Sequence, residues 1–293
     1  MENKPTYKVL TIAGSDPSGG AGIQADIKAI TALGGYAASA ITALTIQNTL
    51  GVTGIFAVPP SVVSEQIACV MEDIAPQSIK IGMVKDVDIV RHIASSIQKY
   101  RPPFIVYDPV MVSTSGHRLI DDDVIETIEK ELIPCVSLIT PNMHEAEVLL
   151  RRKIEGIADM EAAAKELALR YQIHVLVKGG HLQGDGMCDI LASPDGMLSR
   201  FTDVRIETRN LHGTGCTLSS AIATLVARQL VEENPILSDK MLVLAIEQAK
   251  KYVTAAIREG SLRDIGKGNG PLWHLVLNLC SCHPDDHMEE GSR

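Results

Sequence analysis

The sequence predicts an α/β protein with three layers, in which helices cover both faces of a central, mostly parallel sheet. Two observations support this fold class. Short runs rich in β-branched residues alternate with helical patterns from one end of the 293-residue chain to the other. Ala, Ile, Leu and Val carry most of the 45% hydrophobic content, whereas aromatic residues make up only 3%, and this composition is typical of tightly packed parallel sheets and helices.

The predicted strands begin with residues 8–13, KVLTIA, which a glycine-rich loop follows. Further short runs with strand character are predicted at 36–41, 52–58, 78–81, 104–107, 136–139 and 173–177. Near the C-terminal third, two runs at 188–192 and 198–202 flank Pro194-Asp195-Gly196. This turn sequence predicts a β-hairpin.

The first predicted helix, 21–33, has Ile23, Ile27 and Ile30 at the spacing of one helix face, and Gly34-Gly35 end it. Similar patterns predict helices at 61–73, 87–99, 122–132, 143–150, 159–171, 214–230 and 240–258. Because strands alternate with helices of this length, we expect parallel strands joined by crossover helices. No Pro- or Ser-rich linker divides the chain, so we expect one domain over 1–279 and a loose polar tail over 280–293.

The charge and the apolar pattern exclude several classes of partner. The formal net charge is −9 and no basic block occurs along the chain, so neither nucleic acid nor an anionic membrane is an expected partner. No apolar stretch has the length of a membrane span and no export signal precedes the first strand, so we expect a cytoplasmic protein. Reduced thiols are then expected at Cys69, Cys135, Cys188, Cys216, Cys280 and Cys282. The tail sequence Cys280-Ser281-Cys282-His283 matches no structural zinc spacing.

In an open parallel sheet, ligands bind beyond the carboxyl ends of the strands, so the loops after the strands hold the candidate residues. The first loop, 14–22, contains glycines that allow the backbone to approach a ligand closely. Its spacing is neither that of a P-loop nor the dinucleotide pattern G-x-G-x-x-G, so a tight turn without a ligand is the alternative. Asp26, one turn into the following helix, could face the same crevice or be a solvated helix charge.

The second loop, 210–217, opens a long helix of small residues. Gly213, Thr214 and Gly215 would present free N–H groups at the positive end of the helix dipole. That arrangement stabilises an anion, and most of all charge that grows during phosphoryl transfer. Cys216 lies in the first turn, where the same field lowers the pKa of a thiol. The alternative is that Cys216 is a small buried residue where the helix packs.

Three further candidates lie at or near strand ends. Asp108 ends one strand, and Glu145 lies at the start of the helix that follows another. Both carboxylates could hold Mg²⁺ directly or through water, or could equally be acids that cap a helix. Lys178 also ends a strand, where its ammonium could neutralise a phosphate, although most lone lysines are solvated.

Taken together, these loops resemble those of the ribokinase-like superfamily, and within it the hydroxymethylpyrimidine/phosphomethylpyrimidine kinases of thiamin biosynthesis. The resemblance runs from about Tyr7 to His274, nearly the whole chain except the tail. It rests on the joint occurrence, in this order, of AGSDPSGGAGIQAD (13–26), TALTIQNT (42–49), KIGMVKD (80–86), DPVM (108–111), TPNMHEAE (140–147), VKGG (177–180), HGTGCTLSSA (212–221) and GKGNGP (266–271).

The resemblance implies a role for each candidate residue. Residues 213–216 match the anion hole around the transferring phosphoryl group. Asn142 and Glu145 match the family's N-x-x-E element, which organises Mg²⁺ through water, and Lys178 and Asp108 match groups close to the nucleotide phosphates. The pyrimidine site is implied to be lined by Gly14, Asp26, Gln47, Met83 and Val110. The Gln47 amide suits this role, because it can both donate to and accept from an aminopyrimidine edge.

The implied activity is that of an ATP-dependent kinase acting in two steps. ATP first phosphorylates the hydroxymethyl group of 4-amino-5-hydroxymethyl-2-methylpyrimidine, and a second ATP converts the monophosphate to the diphosphate. The resemblance also implies a homodimer and leaves dependence on a monovalent cation open. Sugar kinases of this fold place an aspartate base where Cys216 stands. A Cys216 thiolate could accept the hydroxymethyl proton, or transfer could depend on positioning and charge stabilisation with late proton loss.

Two alternative functions stay open. A pyridoxal or pyridoxine kinase would act on another hydroxymethyl group of a flat nitrogen heterocycle. Some relatives with this loop carry a further cysteine where Leu211 stands, which favours the pyrimidine here. A non-catalytic module that senses the pyrimidine is the second alternative, but it would need neither the acids, nor Lys178, nor the Gly-Thr-Gly-Cys loop. A nicotinamide oxidoreductase is disfavoured because the glycine fingerprint is missing.

Overall fold

The structure is a computed structural model that describes residues 4–111, 120–180 and 186–276. Within these residues, nine strands form one sheet in the order β3-β2-β1-β4-β5-β6-β7-β8-β9. The strands are β1 Lys8–Ser15, β2 Tyr36–Asn48, β3 Gly51–Ala57, β4 Ser78–Ile81, β5 Phe104–Tyr107, β6 Leu138–Ile139, β7 His174–Val177, β8 Gly186–Ala192 and β9 Leu198–Val204. The predicted α/β fold class is confirmed.

The centre of the described sheet is parallel, and both edges are antiparallel. Strands β2, β1, β4, β5, β6 and β7 pair as parallel neighbours. At one edge β3 pairs antiparallel with β2, and at the other edge the β8–β9 hairpin pairs antiparallel with β7. The hairpin predicted around Pro194-Asp195-Gly196 is therefore present, and Gly196 takes the left-handed conformation with φ +89° that such a turn favours.

Helices in the described residues cover both faces of the sheet. They are α1 Gly22–Ala32, α2 Pro60–Asp73, α3 Val87–Tyr100, α4 Asp122–Thr127, α5 Met143–Leu150, α6 Ile157–Tyr171, α7 Thr214–Glu232 and α8 Asp239–Ser261. The predicted helix over 122–132 is α4 continued by a short π-helical segment, Ile128–Leu132. All other predicted helices begin and end within about three residues of the observed bounds, as is usual for helix ends.

The sheet separates two hydrophobic cores, and successive strand residues face opposite cores, as the two-residue period of a strand requires. In β5, Ile105 and Tyr107 belong to a core shared with α2, α3, α4, α5 and α6. Phe104 and Val106 belong to the other core, shared with α1, α7 and α8. Burying each large apolar side chain stabilises the fold by about 1.5–3 kcal/mol. Because both faces of the sheet are apolar, helices cover each of them, and three layers result.

Strand β2 is longer than predicted. The sequence predicted a strand over 36–41, but the strand continues to Asn48, because its second half pairs with β3. In this half Leu44 and Ile46 are 46% and 67% exposed. Leu44 and Ile46 therefore lie on the surface, and this half of β2 lacks the buried apolar pattern from which a covered strand is predicted.

Three expectations from the sequence concern the tail, the cysteine thiols and membrane-spanning helices. The predicted tail, 280–293, with Cys280 and Cys282, lies outside the described residues, so the domain boundary at residue 279 stays a prediction. The four cysteines that the structure describes are free thiols, at Cys69, Cys135, Cys188 and Cys216. Across 4–111, 120–180 and 186–276, no helix combines the length and the hydropathy that crossing a bilayer requires.

Candidate active site

Four parallel strands bring the candidate residues to one edge of the sheet. Strand β1 ends at Ser15, β5 at Tyr107, β6 at Ile139 and β7 at Val177. Because these strands run in the same direction, the loops that follow them open at the same edge. Loop 14–22, Asp108, Asn142 and Lys178 therefore come from distant parts of the chain to one place.

The two glycine-rich loops pack directly against each other at this edge. Gly213, the residue before α7, has φ +85°, a left-handed conformation that favours glycine. A Cβ atom at Gly213 would lie only 1.8 Å from the carbonyl oxygen of Gly20. No larger residue fits at position 213 unless the backbone of loop 14–22 moves, so this contact holds the start of α7 against the loop after β1.

The start of α7 lies beside the charged pair Asp108 and Lys178. The predicted free N–H of Thr214 is wrong, because it donates to the carbonyl oxygen of Leu211 at 3.2 Å. The N-cap, Gly213, has no side-chain cap, and the geometry of an α-helix leaves the N–H groups of Gly215 and Cys216 without a partner inside the helix. A Cβ atom at Gly215 would lie 3.2 Å from Oδ2 of Asp108 and 3.3 Å from Nζ of Lys178. The residues predicted to form an anion hole and those predicted near the nucleotide phosphates thus lie together.

Asp108, which is buried, forms an ion pair with Lys178, which is half-buried. Nζ of Lys178 lies 2.6 Å from Oδ1 of Asp108, and the hydroxyl of Thr140 donates to the same oxygen at 2.9 Å. Burial alone would raise the pKa of the Asp108 carboxyl, but the ammonium groups of Lys178 and Lys80 hold it below its usual range. Burial would lower the pKa of Lys178, yet the neighbouring carboxylates, Asp108 first, raise it. Both groups are therefore charged at neutral pH.

Asn142 and Glu145 form a reciprocal cap at the start of α5. Oδ1 of Asn142 accepts a hydrogen bond from the N–H of Glu145 at 2.9 Å, and Oε2 of Glu145 accepts one from the N–H of Asn142 at 2.8 Å. From the sequence, Glu145 could either cap a helix or hold a metal ion. The structure gives it the capping role, and its carboxyl remains next to the charged pair.

The electrostatic surroundings of Glu145 differ from those of Asp108. Burial raises the pKa of the Glu145 carboxyl to about 7, with a smaller raising effect from the Asp108 carboxylate and an opposing one from Lys178. Glu145 therefore titrates near neutral pH.

Among the residues that the structure describes, no group of three or more His, Cys, Asp or Glu side chains forms a metal site.

Cys216 differs from the sequence-based expectation. The position at the start of a helix predicted a lowered thiol pKa. In the structure, burial and the carboxylates of Asp26 and Asp108 raise the pKa of the Cys216 thiol to about 11, and the ammonium of Lys80 offsets this only in part. The expected direction was wrong, because the local helix position is outweighed by burial and by acids from other strands and helices.

Asp26 lies beneath the loops and not on their surface. Both of its side-chain oxygens lie 2.8 Å from Nζ of Lys80, and neither side chain has any exposed surface. The hydroxyls of Thr11 and Ser220 also donate to this carboxylate, at 2.5 Å and 2.8 Å. The alternative of a solvated helix charge is wrong, because Asp26 is completely buried. Its carboxylate joins β1, β4, α1 and α7, and its place in the pyrimidine site stays a prediction.

Gln47 has two polar neighbours from the glycine-rich loops and β2. Its side-chain nitrogen lies 3.2 Å from Nε2 of His212, which itself lies 2.8 Å from Oδ2 of Asp16. Its side-chain oxygen lies 3.1 Å from Oγ1 of Thr45. The amide is half-buried, so it lies at the margin of the cleft between β2 and the start of α7.

The other predicted pyrimidine-site residues lie on neighbouring strand ends. A Cβ atom at Gly14 would lie 3.0 Å from Cε of Met83, and the carbonyl of Met83 accepts a hydrogen bond from the Thr42 hydroxyl at 3.1 Å. Gly14 and Met83 are therefore in contact, close to β2. Val110 is half-buried in the turn that follows β5, two residues after Asp108.

Several residues of the site were not identified from the sequence. Lys80, Thr11, Ser220 and Thr140 complete the buried ion pairs, and Asp16 and His212 connect the glycine-rich loops. One signal was available: a lysine in the middle of a short strand that is buried on both faces must be paired with an acid. The identity of that acid was not predictable, because it lies 54 residues away in the chain.

Comparisons with known proteins agree on one family. A family model described as phosphomethylpyrimidine kinase matches residues 16–273. The chain is 43% identical over 271 residues to the hydroxymethylpyrimidine/phosphomethylpyrimidine kinase of Rhizobium meliloti, covering 92% of this chain and 97% of that protein. It is also 43% identical over 273 residues to a thiamine biosynthesis bifunctional protein of Geobacter sulfurreducens, covering 93% of this chain but only 53% of that longer protein.

Solved structures share the fold over most of the chain. A crystal structure of phosphomethylpyrimidine kinase from Clostridium difficile is 40% identical, with a TM-score of 0.74 over 86% of this chain and 100% of that chain. A pyridoxal kinase from Staphylococcus aureus in complex with ADP is 29% identical, with a TM-score of 0.83 over 94% of this chain and 96% of that chain.

Proposed function

The chain belongs to the phosphomethylpyrimidine kinase family, and on this premise we propose that it phosphorylates 4-amino-5-hydroxymethyl-2-methylpyrimidine and then the resulting monophosphate, using ATP each time. The observation that carries the proposal is the position of Gly215 in the first turn of α7. A Cβ atom added there would contact both Asp108 and Lys178. The start of α7 and the charged pair therefore lie side by side, and a phosphoryl group held here would meet both the helix N-terminus and the Lys178 ammonium.

The first turn of α7 would stabilise the charge of the transferring phosphoryl group. Its free N–H groups at Gly215 and Cys216 lie at the positive end of a helix of 19 residues. Oxygen atoms of a phosphoryl group gain most from such donors when negative charge grows on them during transfer. One such site serves both reactions, because each is an in-line attack of an oxygen on a γ-phosphorus.

Lys178 and Asn142 are proposed to hold the nucleotide phosphates. The Lys178 ammonium is charged and lies within reach of the anion hole, and Asn142 is connected to it through a parallel bridge between the two strand ends. Structures of the Staphylococcus aureus pyridoxal kinase hold ADP and AMP-PCP. Those complexes support ATP as the co-substrate here.

Glu145 and Asp108 suit a Mg²⁺ ion that retains several water ligands. Mg²⁺ is usually bound by one or two carboxylates together with water and substrate phosphates, and these two buried acids supply that set of donors. When bound, the ion would neutralise phosphate charge. Glu145, with its raised pKa, would then have to lose its proton, because a dication favours the ionised carboxylate.

Cys216 is proposed to act through position and not as a thiolate base. A thiol with a pKa of about 11 is almost fully protonated at neutral pH. The alternative from the sequence analysis, in which phosphoryl transfer relies on alignment and charge stabilisation with late loss of the hydroxymethyl proton, agrees better with this value. The residues at the start of α7 then contribute mainly their backbone N–H groups.

A pyridoxal kinase activity is the second candidate. The similarity to pyridoxal kinases of solved structure, at 29–30% identity and TM-scores up to 0.83, supports testing it. The identity to phosphomethylpyrimidine kinases is higher, at 40–43%, which favours the pyrimidine. A non-catalytic sensor is disfavoured, since it would have no use for the Asp108–Lys178 pair beside the anion hole.

The partner of this chain is proposed to be a second copy of itself. Apolar side chains on β2 and β3 are strongly exposed: Leu44 46%, Ile46 67%, Val52 51% and Phe56 66%. An apolar surface of this kind commonly marks an association site. Sedimentation of the purified protein distinguishes a homodimer from a monomer.

The free thiols of the four described cysteines support a reducing cytoplasmic location.

The test of the proposed function is ADP release with Mg-ATP and four acceptors: the hydroxymethylpyrimidine, its monophosphate, pyridoxine and pyridoxal. Turnover of both pyrimidines well above that of both pyridoxines is the expected result. Turnover of pyridoxal alone would assign the chain to the vitamin B6 kinases. Absence of transfer to all four acceptors would favour the sensor.

A further inference from the structure

Gln47 lies at an irregular point of the hairpin between β2 and β3. Ile46 is opposite Gly54, but Gln47 is opposite Val52, so β3 has one extra residue at this point. Irregularities of this kind change the direction of neighbouring side chains. The amide of Gln47 is half-buried, and each of its two polar atoms has a side-chain neighbour, His212 on one side and Thr45 on the other.

Asp16 determines where the hydrogen of the His212 ring lies. Its carboxylate accepts hydrogen bonds from the N–H and hydroxyl of Ser18, at 2.9 Å and 2.7 Å, and from the N–H of Ala21 at 2.9 Å. Burial alone would raise the pKa of Asp16, but these hydrogen bonds and the one from His212 lower it to about 2. An ionised carboxylate can only accept, so Nε2 of His212, 2.8 Å away, carries a hydrogen and donates it.

The His212 ring therefore cannot accept a hydrogen bond at Nε2. The amide atom of Gln47 that lies 3.2 Å from Nε2 is then an oxygen that shares the Nε2 hydrogen with the nearer Asp16 carboxylate, because an NH₂ group there would find no lone pair on Nε2. The oxygen and nitrogen of a side-chain amide exchange places by a half turn, and their assignment follows from the hydrogen bonds around them. The structure places the nitrogen of Gln47 on the side of His212, but the hydrogen bonds of Asp16 and His212 assign the oxygen to this side, so the amide is turned by a half turn.

Thr45 favours the same orientation from the opposite side. Its hydroxyl lies 2.9 Å from the carbonyl oxygen of Ser15, which can only accept, so the single hydroxyl hydrogen of Thr45 is used there. Oγ1 of Thr45 then has only lone pairs to offer to the Gln47 amide at 3.1 Å. The amide nitrogen of Gln47 belongs on this side, and both neighbours are satisfied by one orientation.

We propose that Asp16, His212 and Thr45 are positioning residues that hold the Gln47 amide in this one orientation and thereby make the site select an amino group next to a ring nitrogen. The inference rests on the proposed function, in which Gln47 contacts the pyrimidine. The outward edge of the amide offers its oxygen on the His212 side and an N–H on the Thr45 side. With the hydroxymethyl group held at the anion hole, the 4-substituent and the neighbouring ring nitrogen can meet the amide in only one order, because rotating the ring about its C2–C5 axis would bring the C6–H edge to Gln47 instead.

A matched pair of ligands separates this proposal from a merely structural role. The 4-amino pyrimidine presents an amino donor beside a ring-nitrogen acceptor, whereas its 4-oxo analogue presents a carbonyl acceptor beside a ring N–H donor. The two have similar size and the opposite hydrogen-bond order. We expect the native protein to prefer the 4-amino compound by at least about 100-fold in kcat/KM, because the wrong order leaves polar groups unpaired.

The variants His212→Phe and His212→Gln test the orientation directly. The phenylalanine retains a ring against Gly20 but has no donor, so the amide can turn, and the preference for the 4-amino compound should narrow at least tenfold. The glutamine can bring an N–H to the position of Nε2 and should retain the native preference. Thr45→Val, which removes the acceptor on the other side, should narrow the preference about three- to tenfold. Equal losses on both ligands in His212→Phe, with an unchanged ratio, would overturn the proposal.

A measurement without turnover keeps the two hypotheses apart. Long-range proton–nitrogen NMR spectra of the native protein should show a hydrogen on Nε2 of His212. A ring with its only hydrogen on Nδ1 overturns the orientation argument, even if both pyrimidines are phosphorylated. If the native protein phosphorylates neither pyrimidine, the proposed function fails, and the selection proposed here fails with it. If His212→Phe phosphorylates the pyrimidine with the native ratio of kcat/KM for the 4-amino and 4-oxo compounds, only the positioning role is contradicted.

Discussion

Lys80 and Asp26 form an ion pair that has no contact with solvent. Nζ of Lys80 lies 2.8 Å from both carboxylate oxygens of Asp26, and both side chains are completely buried. Burial alone would lower the pKa of the Lys80 ammonium, but the carboxylate of Asp26 raises it above its ordinary value. The pair connects α1 to β4 directly beneath the glycine-rich loops, and Ser220 on α7 joins the same carboxylate.

Replacing Lys80 with methionine should therefore destabilise the protein by about 3–5 kcal/mol, because it leaves a buried carboxylate without a counter-charge. Urea unfolding measures this loss. The double variant Lys80→Met/Asp26→Leu removes both charges and should recover at least about half of it. A matched control is Lys130→Met, which breaks an exposed pair with Glu126 and should change stability by less than about 1 kcal/mol. A similar small effect in Lys80→Met would contradict the role assigned to the buried pair.

Gly213→Ala should cost both activity and stability. The position has φ +85° and a Cβ there would lie 1.8 Å from the Gly20 carbonyl oxygen, so the start of α7 must shift away from Asp108 and Lys178. We expect kcat/KM to fall at least about 100-fold, the size expected for losing a transition-state donor. Gly196→Ala is the control, since Gly196 has φ +89° but open space around it. It should cost about 1–2 kcal/mol of stability and leave kcat/KM within about twofold. Equal kinetic effects of the two substitutions would show that the contact with Gly20 is unimportant.

The Cys216 thiol should react as a protonated group throughout the neutral range. With a pKa of about 11, only about 0.1% of it is thiolate at pH 8. The rate of its alkylation by iodoacetamide, followed by mass spectrometry, should still rise about tenfold per pH unit at pH 10. A cysteine in a model peptide levels off near pH 9 and serves as the reference. A rate that levels off below pH 8 would restore the thiolate base.

Glu145 should make stability depend on pH near neutrality in the absence of metal. Its folded pKa of about 7 lies above that of an unfolded glutamate, so the folded protein binds more protons between about pH 4.5 and 7. The free energy of unfolding should therefore fall by about 2–3 kcal/mol as pH rises through this window. Glu145→Gln can still cap α5 and should lose this part of the slope, whereas the exposed control Glu126→Gln should keep it. Urea unfolding at several pH values provides the comparison, and identical slopes for the native protein and Glu145→Gln would contradict the raised pKa.

The secondary structure was largely predictable because it depends on local patterns. The apolar spacing of Ile23, Ile27 and Ile30 and the following glycines predicted α1 to within one residue at each end. The prediction was incomplete for β2, whose second half has exposed apolar residues and pairs mainly with β3. There the strand is stabilised by its neighbour in the sheet, and a local pattern contains no information about that neighbour.

The sequence by itself determined the order of strands and helices, the glycine-rich loops, and the acids and lysine that end the parallel strands, because these follow from residue spacing. It also determined the family, through motifs in a fixed order. Only the tertiary structure decided the partner of Asp26, the raised pKa of Cys216 and the contact between Asp16 and His212, which are 196 residues apart. Burial and charge act across space, so a pKa or a hydrogen-bond partner is decided by what the fold brings near a side chain.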